Sequence, residues 1–137
     1  MSSTTSDAKI RILVVDDEPD ILLGLKALLA EQGHYVKTFD KPSQALADIT
    51  TRATPYDLVI TDYRMPGGIS GLDLAKQVKA HSRRKTKVFL ITAFEVSSAP
   101  EFNEALKLQI IDEILQKPLS NNKLIAIIEK NFLHNNH

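Results

Sequence analysis

The 137-residue sequence contains no cysteine and no tryptophan, and its 17 basic residues balance its 17 acidic residues. The absence of cysteine excludes disulfide bonds, thiolate metal sites and a thiol nucleophile. A formal net charge of zero provides no overall attraction to nucleic acid, and an aromatic content of 6% argues against a base-stacking surface. Any chemistry must therefore use oxygen and nitrogen groups, and we expect no direct contact with nucleic acid.

Long apolar runs are also missing. No run approaches the roughly 18 to 20 residues that cross a bilayer, and residues 1–8 are polar, without the basic and apolar regions of a secretory signal. With 43% hydrophobic residues, the chain has enough apolar material for one core. These features predict a disordered leader over residues 1–8, one domain over 9–133 and a polar tail over 134–137, in a cytoplasmic protein that does not bind membranes.

Five apolar segments rich in β-branched residues alternate with five segments of helical periodicity. The predicted strands lie in residues 10–15, 35–39, 58–62, 88–92 and within 110–117, and the predicted helices lie near residues 19–33, 42–49, 71–78, 101–108 and 124–132. Strands that alternate with helices of this length form a parallel sheet with helices on both faces, because each crossover is right-handed. The sequence therefore predicts a doubly wound α/β fold.

Polar residues stand where the predicted strands end. Asp16 and Asp17 follow strand one, Asp62 ends strand three, Thr92 ends strand four and Lys117 follows strand five. In doubly wound sheets, ligands bind outside the carboxyl ends of the strands. In the strand order 2-1-3-4-5, strands one and three are neighbours, so the three carboxylates would converge at this edge.

Three converging carboxylates need a compensating charge. A hard divalent cation with oxygen ligands is the simplest choice, and a site with few carboxylates and several waters suits Mg²⁺ better than Ca²⁺. A carboxylate can also attack phosphorus and form an acyl phosphate, in which case Lys117 can supply an ammonium and Thr92 a hydroxyl hydrogen bond. Taken alone, the Asp16-Asp17 pair is more typical of a helix N-cap, but the joint placement of four strand ends favours a site.

Four motifs carry a specific resemblance. They are Asp16-Asp17, Asp62-Tyr-Arg-Met-Pro66, Thr92-Ala93 and Lys117-Pro118, in that order along the chain. Over residues from about 9 to 133, the sequence resembles the receiver domain of two-component response regulators. The resemblance implies a flavodoxin-like fold with five parallel strands in the order 2-1-3-4-5.

The resemblance also implies a magnesium site. Asp62 would be the phosphoacceptor and a metal ligand, Asp17 would bind Mg²⁺ directly, and the backbone carbonyl of Arg64 would complete the protein's share of the ligands. Asp16 would hold a water molecule of the metal shell.

The remaining motif residues would bind the phosphoryl group. The resemblance implies that Thr92 and Lys117 contact the phosphoryl oxygens and that the Lys117-Pro118 peptide bond is cis. The phosphodonor would be a phosphohistidine on a sensor histidine kinase or a phosphotransfer protein, and the domain would catalyse its own dephosphorylation. Arg64 and Phe94 would border the phosphoryl group and influence its lifetime.

One predicted helix and a short tail follow Lys117, so we expect a stand-alone receiver, monomeric or weakly dimeric, that signals through phosphorylation-dependent contacts with a downstream protein. Two alternatives stay open. One is a Mg²⁺-dependent phosphatase or phosphotransferase with an aspartyl-phosphate intermediate, although Tyr63 and Arg64 follow Asp62 where such an enzyme needs a second acid. The other is a receiver-like interaction module that works without phosphorylation.

The sequence departs from the family pattern in three places. The loop Gly67–Ser70 is one residue longer than expected, and its two glycines allow positive φ angles. Ile114 stands where many receivers have a switching Tyr or Phe, and the stretch Leu106–Ile111 lacks the glycine that often ends the fourth helix. We therefore expect the phosphorylation chemistry to follow the family more closely than the output mechanism.

Two histidine-containing segments lie outside the motifs. The basic run His81–Lys87 is predicted to be a solvated connection at the end of the sheet opposite the site, with a docking patch for an acidic partner as the alternative. His134 and His137 are predicted to bind no metal, because a frayed terminus cannot fix ligand geometry.

Overall fold

A computed structural model of the protein describes residues 9–65, 67–93 and 99–132. Within these residues, five strands alternate with five helices, as the sequence predicts: β1 (Arg11–Val15), α1 (Pro19–Glu31), β2 (Tyr35–Phe39), α2 (Pro42–Thr51), β3 (Leu58–Asp62), α3 (Gly71–Ser82), β4 (Lys87–Thr92), α4 (Pro100–Lys107), β5 (Glu113–Gln116) and α5 (Asn121–Phe132). The predicted leader, the polar tail with its two histidines, and Phe94 lie outside the described residues.

The five strands form one parallel sheet in the order β2-β1-β3-β4-β5, which confirms the predicted fold. Successive residues of β1 face opposite sides of this sheet, because side chains alternate along a strand. Leu13 and Val15 join the core cluster on one side, whereas Ile12 and Val14 join the cluster on the other. The continuous apolar run of β1 is thus explained by helices covering both faces.

Helix starts are encoded locally. Pro19, Pro42 and Pro100 each occupy the first turn of a helix, where the missing N–H costs no hydrogen bond. Helix α3 begins with a capping box, in which the Ser70 side chain accepts from the Asp73 amide and the Asp73 carboxylate accepts from the Ser70 amide. In the described part of the chain, no helix has the length and apolarity that crossing a membrane requires.

The chain leaves α4 through a left-handed backbone conformation, although the glycine that often stands there is absent. Gln109 adopts a left-handed φ of 58°, although glycine is the residue that most readily takes this conformation. The chain then passes the buried Ile111 before β5 starts at Glu113. The predicted fifth strand is therefore present but shorter than its apolar segment, because Ile110 and Ile111 pack in the connection.

The basic connection between α3 and β4 lies at the amino end of β4. Asp62 lies at the opposite edge of the sheet, where the strands have their carboxyl ends. Its side chains His81, Arg83 and Lys85 are exposed, as predicted. Arg84 is exposed too, yet its guanidinium donates to the backbone carbonyls of Leu108 and Gln109 at 3.2 and 3.3 Å, behind the end of α4. This part of the run therefore has a structural role as well as a solvated surface.

Candidate functional site

The site is built at the carboxyl edge of four neighbouring strands. Asp16 follows the last residue of β1, Asp62 and Thr92 are the last residues of β3 and β4, and Lys117 follows β5. The Lys117 amide donates to the Thr92 carbonyl at 2.9 Å, which holds the loop after β5 against β4. The sheet register thus brings together side chains that lie up to about a hundred residues apart.

Four carboxylates form an acidic cluster at this edge. Asp16, Asp17, Glu18 and Asp62 each offer an oxygen, and these oxygens all lie within 4.8 Å of one another. Asp16 and Asp62 are buried, whereas Asp17 and Glu18 are exposed. The three predicted carboxylates are therefore brought together, and Glu18 is a fourth member that was not predicted from the sequence, although an acid directly after an Asp-Asp pair was a visible signal.

The Lys117 ammonium is the cation of this cluster. Its Nζ lies 2.9 Å from Glu18 Oε2, 3.2 Å from Asp62 Oδ2 and 3.9 Å from Asp16 Oδ2. Burial alone would lower the pKa of Lys117, but the hydrogen bond to Glu18 and the charges of Asp16 and Asp62 outweigh burial and raise it. Lys117 therefore stays protonated and offsets part of the negative charge.

Asp16 is a buried carboxylate whose charged form is disfavoured by its surroundings. Burial raises its pKa to about 6, an effect opposed by the hydrogen bond from the Glu18 amide and reinforced by the charge of Asp62. The Glu18 amide donates to Asp16 Oδ1 at 2.8 Å, but Asp16 Oδ2 is buried and accepts no hydrogen bond from any described residue. Glu18, not Asp16 or Asp17, is the N-cap residue of α1, so the aspartate pair is not a helix cap.

This donor set fits a hard divalent cation. Carboxylate oxygens are the preferred ligands of Mg²⁺, and the cluster combines exposed carboxylates with a buried one whose second oxygen accepts no hydrogen bond from the described residues. A buried polar atom without a hydrogen bond is uncommon and calls for a ligand or water to complete it.

Asp62 is oriented by groups on either side of its carboxylate. The Tyr63 amide donates to Oδ1 at 2.9 Å, and the Lys117 ammonium donates to Oδ2 at 3.2 Å. Burial raises the pKa of Asp62, while Lys117 and the Tyr63 amide lower it. The carboxylate is thus held in one orientation by two donors.

A glycine lies directly behind the Asp62 backbone. A Cβ at Gly71 would stand 2.3 Å from the Asp62 carbonyl oxygen, a distance that no side chain tolerates. The Gly71 amide donates to the Tyr63 carbonyl at 2.7 Å, so the start of α3 packs tightly under the end of β3. The sequence predicts Gly71 only as the start of a helix, because a close approach between segments leaves no local pattern.

A cavity of about 120 Å³ opens beside Asp62. Its walls are formed by Asp62, Tyr63, Arg64, Thr92, Ala93 and Lys117. Thr92 is buried, and Arg64 is exposed at the rim. The cavity is large enough for a phosphoryl group, and the predicted hydroxyl and ammonium both line it. The Lys117-Pro118 peptide bond is cis, as the resemblance implied.

The two departures near the site are visible in the structure. Gly67 and Gly68 take positive φ angles of 102° and 98°, which confirms the expected use of the glycines in the longer loop. Ile114 is half-buried and packs against the core cluster on its side of the sheet.

Comparisons with known proteins agree with this geometry. The family model for the response regulator receiver domain matches residues 12–129. The transcriptional regulatory protein ZraR of Salmonella typhimurium is 36% identical over 126 residues, which cover 92% of this chain and 27% of that protein. The sensor histidine kinase GacS of Pseudomonas protegens is 32% identical over 128 residues, which cover 93% of this chain and 14% of that protein. The chain thus spans less than a third of the length of either curated relative.

Solved structures give the same result. The response regulator protein TrrA of Thermotoga maritima, in complex with Mg²⁺-BeF, superposes with a TM-score of 0.72 at 35% identity and covers 88% of this chain and 97% of that one. The chemotaxis response regulator CheY4 of Vibrio cholerae superposes with a TM-score of 0.76 at 26% identity and covers 90% and 98%. The family match extends over most of the chain and includes every strand end of the acidic site. The chain belongs to the response regulator receiver domains of two-component signalling.

Proposed function

We propose that this receiver domain accepts a phosphoryl group on Asp62 from a histidine kinase or a phosphotransfer protein, with Mg²⁺ bound, and signals through phosphorylation-dependent protein contacts. Receiver domains are signalling modules and not classical enzymes, and histidine kinases or phosphotransfer proteins phosphorylate them. The observation that supports Asp62 as the acceptor is that its carboxylate borders the 120 Å³ cavity together with Thr92 and Lys117.

The transfer is a nucleophilic substitution at phosphorus. A bond forms between an Asp62 carboxylate oxygen and the phosphorus while the phosphorus–nitrogen bond of the phosphohistidine breaks. The electron pair of the broken bond leaves on the imidazole, which departs as a neutral ring when its other nitrogen carries a proton. Asp62 is oriented for attack by the Tyr63 amide and the Lys117 ammonium.

Receiver domains bind Mg²⁺ at an acidic pocket, and here Asp17, Asp62 and the Arg64 carbonyl would hold the cation, with Asp16 reaching it through water. When bound, Mg²⁺ offsets the negative charge of the carboxylates and of the phosphoryl oxygens. Oδ2 of Asp16, which accepts no hydrogen bond from the described residues, supports this assignment, because a water of the metal shell would satisfy it.

The phosphorylated state differs from the free state in its charge. The Thr92 hydroxyl and the Lys117 ammonium line the cavity and would bind phosphoryl oxygens, so Lys117 would exchange part of its contact with Glu18 for the new group. This exchange alters the loops after β4 and β5 and biases them toward a second conformation that a downstream protein recognises.

The test is incubation with Mg²⁺ and a small-molecule phosphodonor, followed by intact-mass analysis. Wild type and the control variant Asp40→Asn, which removes an exposed acid outside the cluster, should each gain one phosphoryl group that is acid-stable and base-labile. Asp62→Asn should gain none. Phosphorylation of Asp62→Asn would refute the assignment, and sustained turnover of an added phosphomonoester would identify an enzyme instead.

A further inference from the structure

One described residue connects the phosphoacceptor directly to helix α4. The Tyr63 amide donates to Asp62 Oδ1 at 2.9 Å and to the Ile91 carbonyl at 2.8 Å, while the Tyr63 carbonyl accepts from the Gly71 amide at 2.7 Å. The backbone of Tyr63 is therefore the element that fixes one oxygen of the Asp62 carboxylate.

The side chain of Tyr63 is held by the first turn of α4. Its ring meets the fully buried ring of Phe102 edge to face, with centroids 4.8 Å apart and an interplanar angle of 88°. Its hydroxyl donates to Glu101 Oε2 at 3.2 Å. A ring contact and a hydrogen bond thus fix the side chain of the residue whose amide orients Asp62.

The carboxyl end of α4 is held by hydrogen bonds from a different part of the chain. The Arg84 guanidinium donates to the carbonyls of Leu108 and Gln109, just beyond the last turn. Helix α4 is therefore fastened at its carboxyl end to the α3–β4 connection and at its amino end to Tyr63. Tyr63 is therefore the residue through which a displacement of the amino end of α4 would move the Asp62 carboxylate.

We propose that Tyr63 is a positioning residue for phosphoryl transfer: helix α4, through Glu101 and Phe102, holds Tyr63 so that its amide keeps Asp62 Oδ1 in the orientation required for attack. This inference rests on the proposed function of Asp62. Small misplacements of a nucleophile reduce the rate strongly, because attack at phosphorus requires an in-line approach.

The rate of phosphorylation by a small-molecule donor provides the first test. Glu101→Ala should lower the rate about threefold, the size expected for one lost hydrogen bond. Glu101→Gln keeps an acceptor for the Tyr63 hydroxyl and should retain the wild-type rate, which separates the hydrogen bond from the charge. Glu104→Ala is the matched control, because Glu104 is an exposed acid on the same helix.

A double-mutant cycle identifies the route. Tyr63→Phe keeps the ring contact with Phe102 and should lower the rate as much as Glu101→Ala, and the double variant should lose no more than either single variant. The Mg²⁺ concentration for half-maximal rate should stay at the wild-type value in all of them. Additive losses, or a shift in that concentration, would refute positioning through the hydroxyl.

Amide hydrogen exchange provides a readout without phosphorylation. In Glu101→Ala, the amide of residue 63 should exchange several-fold faster than in wild type or Glu104→Ala, with the free energy of unfolding unchanged. If wild type accepts phosphate on Asp62 but Glu101→Ala matches it in both rate and exchange, the positioning role is wrong and the proposed function stands. If wild type accepts no phosphate on Asp62, the proposed function fails first.

Discussion

The two ends of the parallel sheet satisfy their polar groups to different degrees. At the amino end, the buried Lys79 ammonium lies 2.7 Å from Asp112 Oδ2, and the same oxygen accepts from the Val88 amide. At the carboxyl end, one oxygen of buried Asp16 accepts no hydrogen bond within the described part of the chain and lies beside three further described carboxylates. The amino end is arranged for stability, whereas the carboxyl end stores unfavourable charge that a ligand can relieve.

This contrast separates a stabilising charge pair from a cluster of like charges. Buried charges stabilise a fold only when they are paired and hydrogen-bonded, and the Lys79–Asp112 pair meets both conditions. Among the described residues, the acidic cluster has one cation, Lys117, for four carboxylates. Removing a charged group should therefore lower the free energy of unfolding at the amino end and raise it at the carboxyl end, and four experiments compare the two ends.

The largest effect is expected from breaking the charge pair at the amino end. Lys79→Ala leaves the Asp112 carboxylate without its cation, and we expect the free energy of unfolding to fall by about 4 kcal/mol. Urea unfolding at neutral pH measures it. The double variant Lys79→Met with Asp112→Asn keeps an acceptor for the Val88 amide and should recover most of the loss; no recovery would mean that packing of the lysine stem dominates.

A steric change at the carboxyl end should be next in size. In Gly71→Ala, the new Cβ meets the Asp62 carbonyl at 2.3 Å, so we expect a loss of about 3 kcal/mol and a lower phosphorylation rate. Gly24→Ala is the matched control, since nothing lies within 4 Å of its Cβ position on α1, and it should stabilise the protein by about 1 kcal/mol. Equal stability of the two variants would contradict the close approach.

Removing a charge from the acidic cluster should have the opposite sign. Asp16→Asn relieves a buried carboxylate whose pKa is raised to about 6. Because one pKa unit corresponds to ~1.4 kcal/mol and Lys117 screens the charge, we expect a gain of about 1 kcal/mol at pH 7 without Mg²⁺. The same variant should bind Mg²⁺ more weakly in a calorimetric titration. A loss of stability would show that the cluster is stabilising.

The smallest effect should come from a histidine at the amino end. Burial lowers the pKa of His34 below 6.5, and its Nδ1 accepts from the Ile10 amide. The unfolded chain therefore binds more protons than the folded chain between the lowered pKa and 6.5, so the free energy of unfolding falls as the pH decreases through this window.

Unfolding by urea at about pH 5 and about pH 7.5 measures this dependence. His34→Gln should lose that component of the pH dependence, while His81→Gln, at an exposed position, should keep the wild-type profile. An unchanged profile in His34→Gln would assign the dependence to the carboxylates.

The sequence predicted the fold and the convergence of Asp16, Asp17 and Asp62, because strand ends in a parallel sheet share one edge and hydrophobic periodicity marks where each strand ends. It did not predict the Lys79–Asp112 pair, whose members lie 33 residues apart and carry no pattern that connects them. Arg84 is similar: its role depends on where α4 ends in space.

Two misses lie within the site itself. Glu18 joins the cluster because of the path that the chain takes into α1. Glycine is needed at position 71 because α3 approaches β3 closely. Both are set by packing between elements, which propensity and periodicity do not encode. The stand-alone organisation, the oligomeric state and the cytoplasmic location stay predictions.

The position of β3 has a consequence for how the site is lost. Asp62 ends the middle strand of the sheet, and all five residues of β3 are buried between β1 and β4. Opening such a strand requires the global unfolding reaction, whereas edge strands and helix ends exchange through smaller fluctuations. The proposed phosphoacceptor is thus as stable as the domain itself, and any ability to accept phosphate should be lost on heating in the same transition as the core.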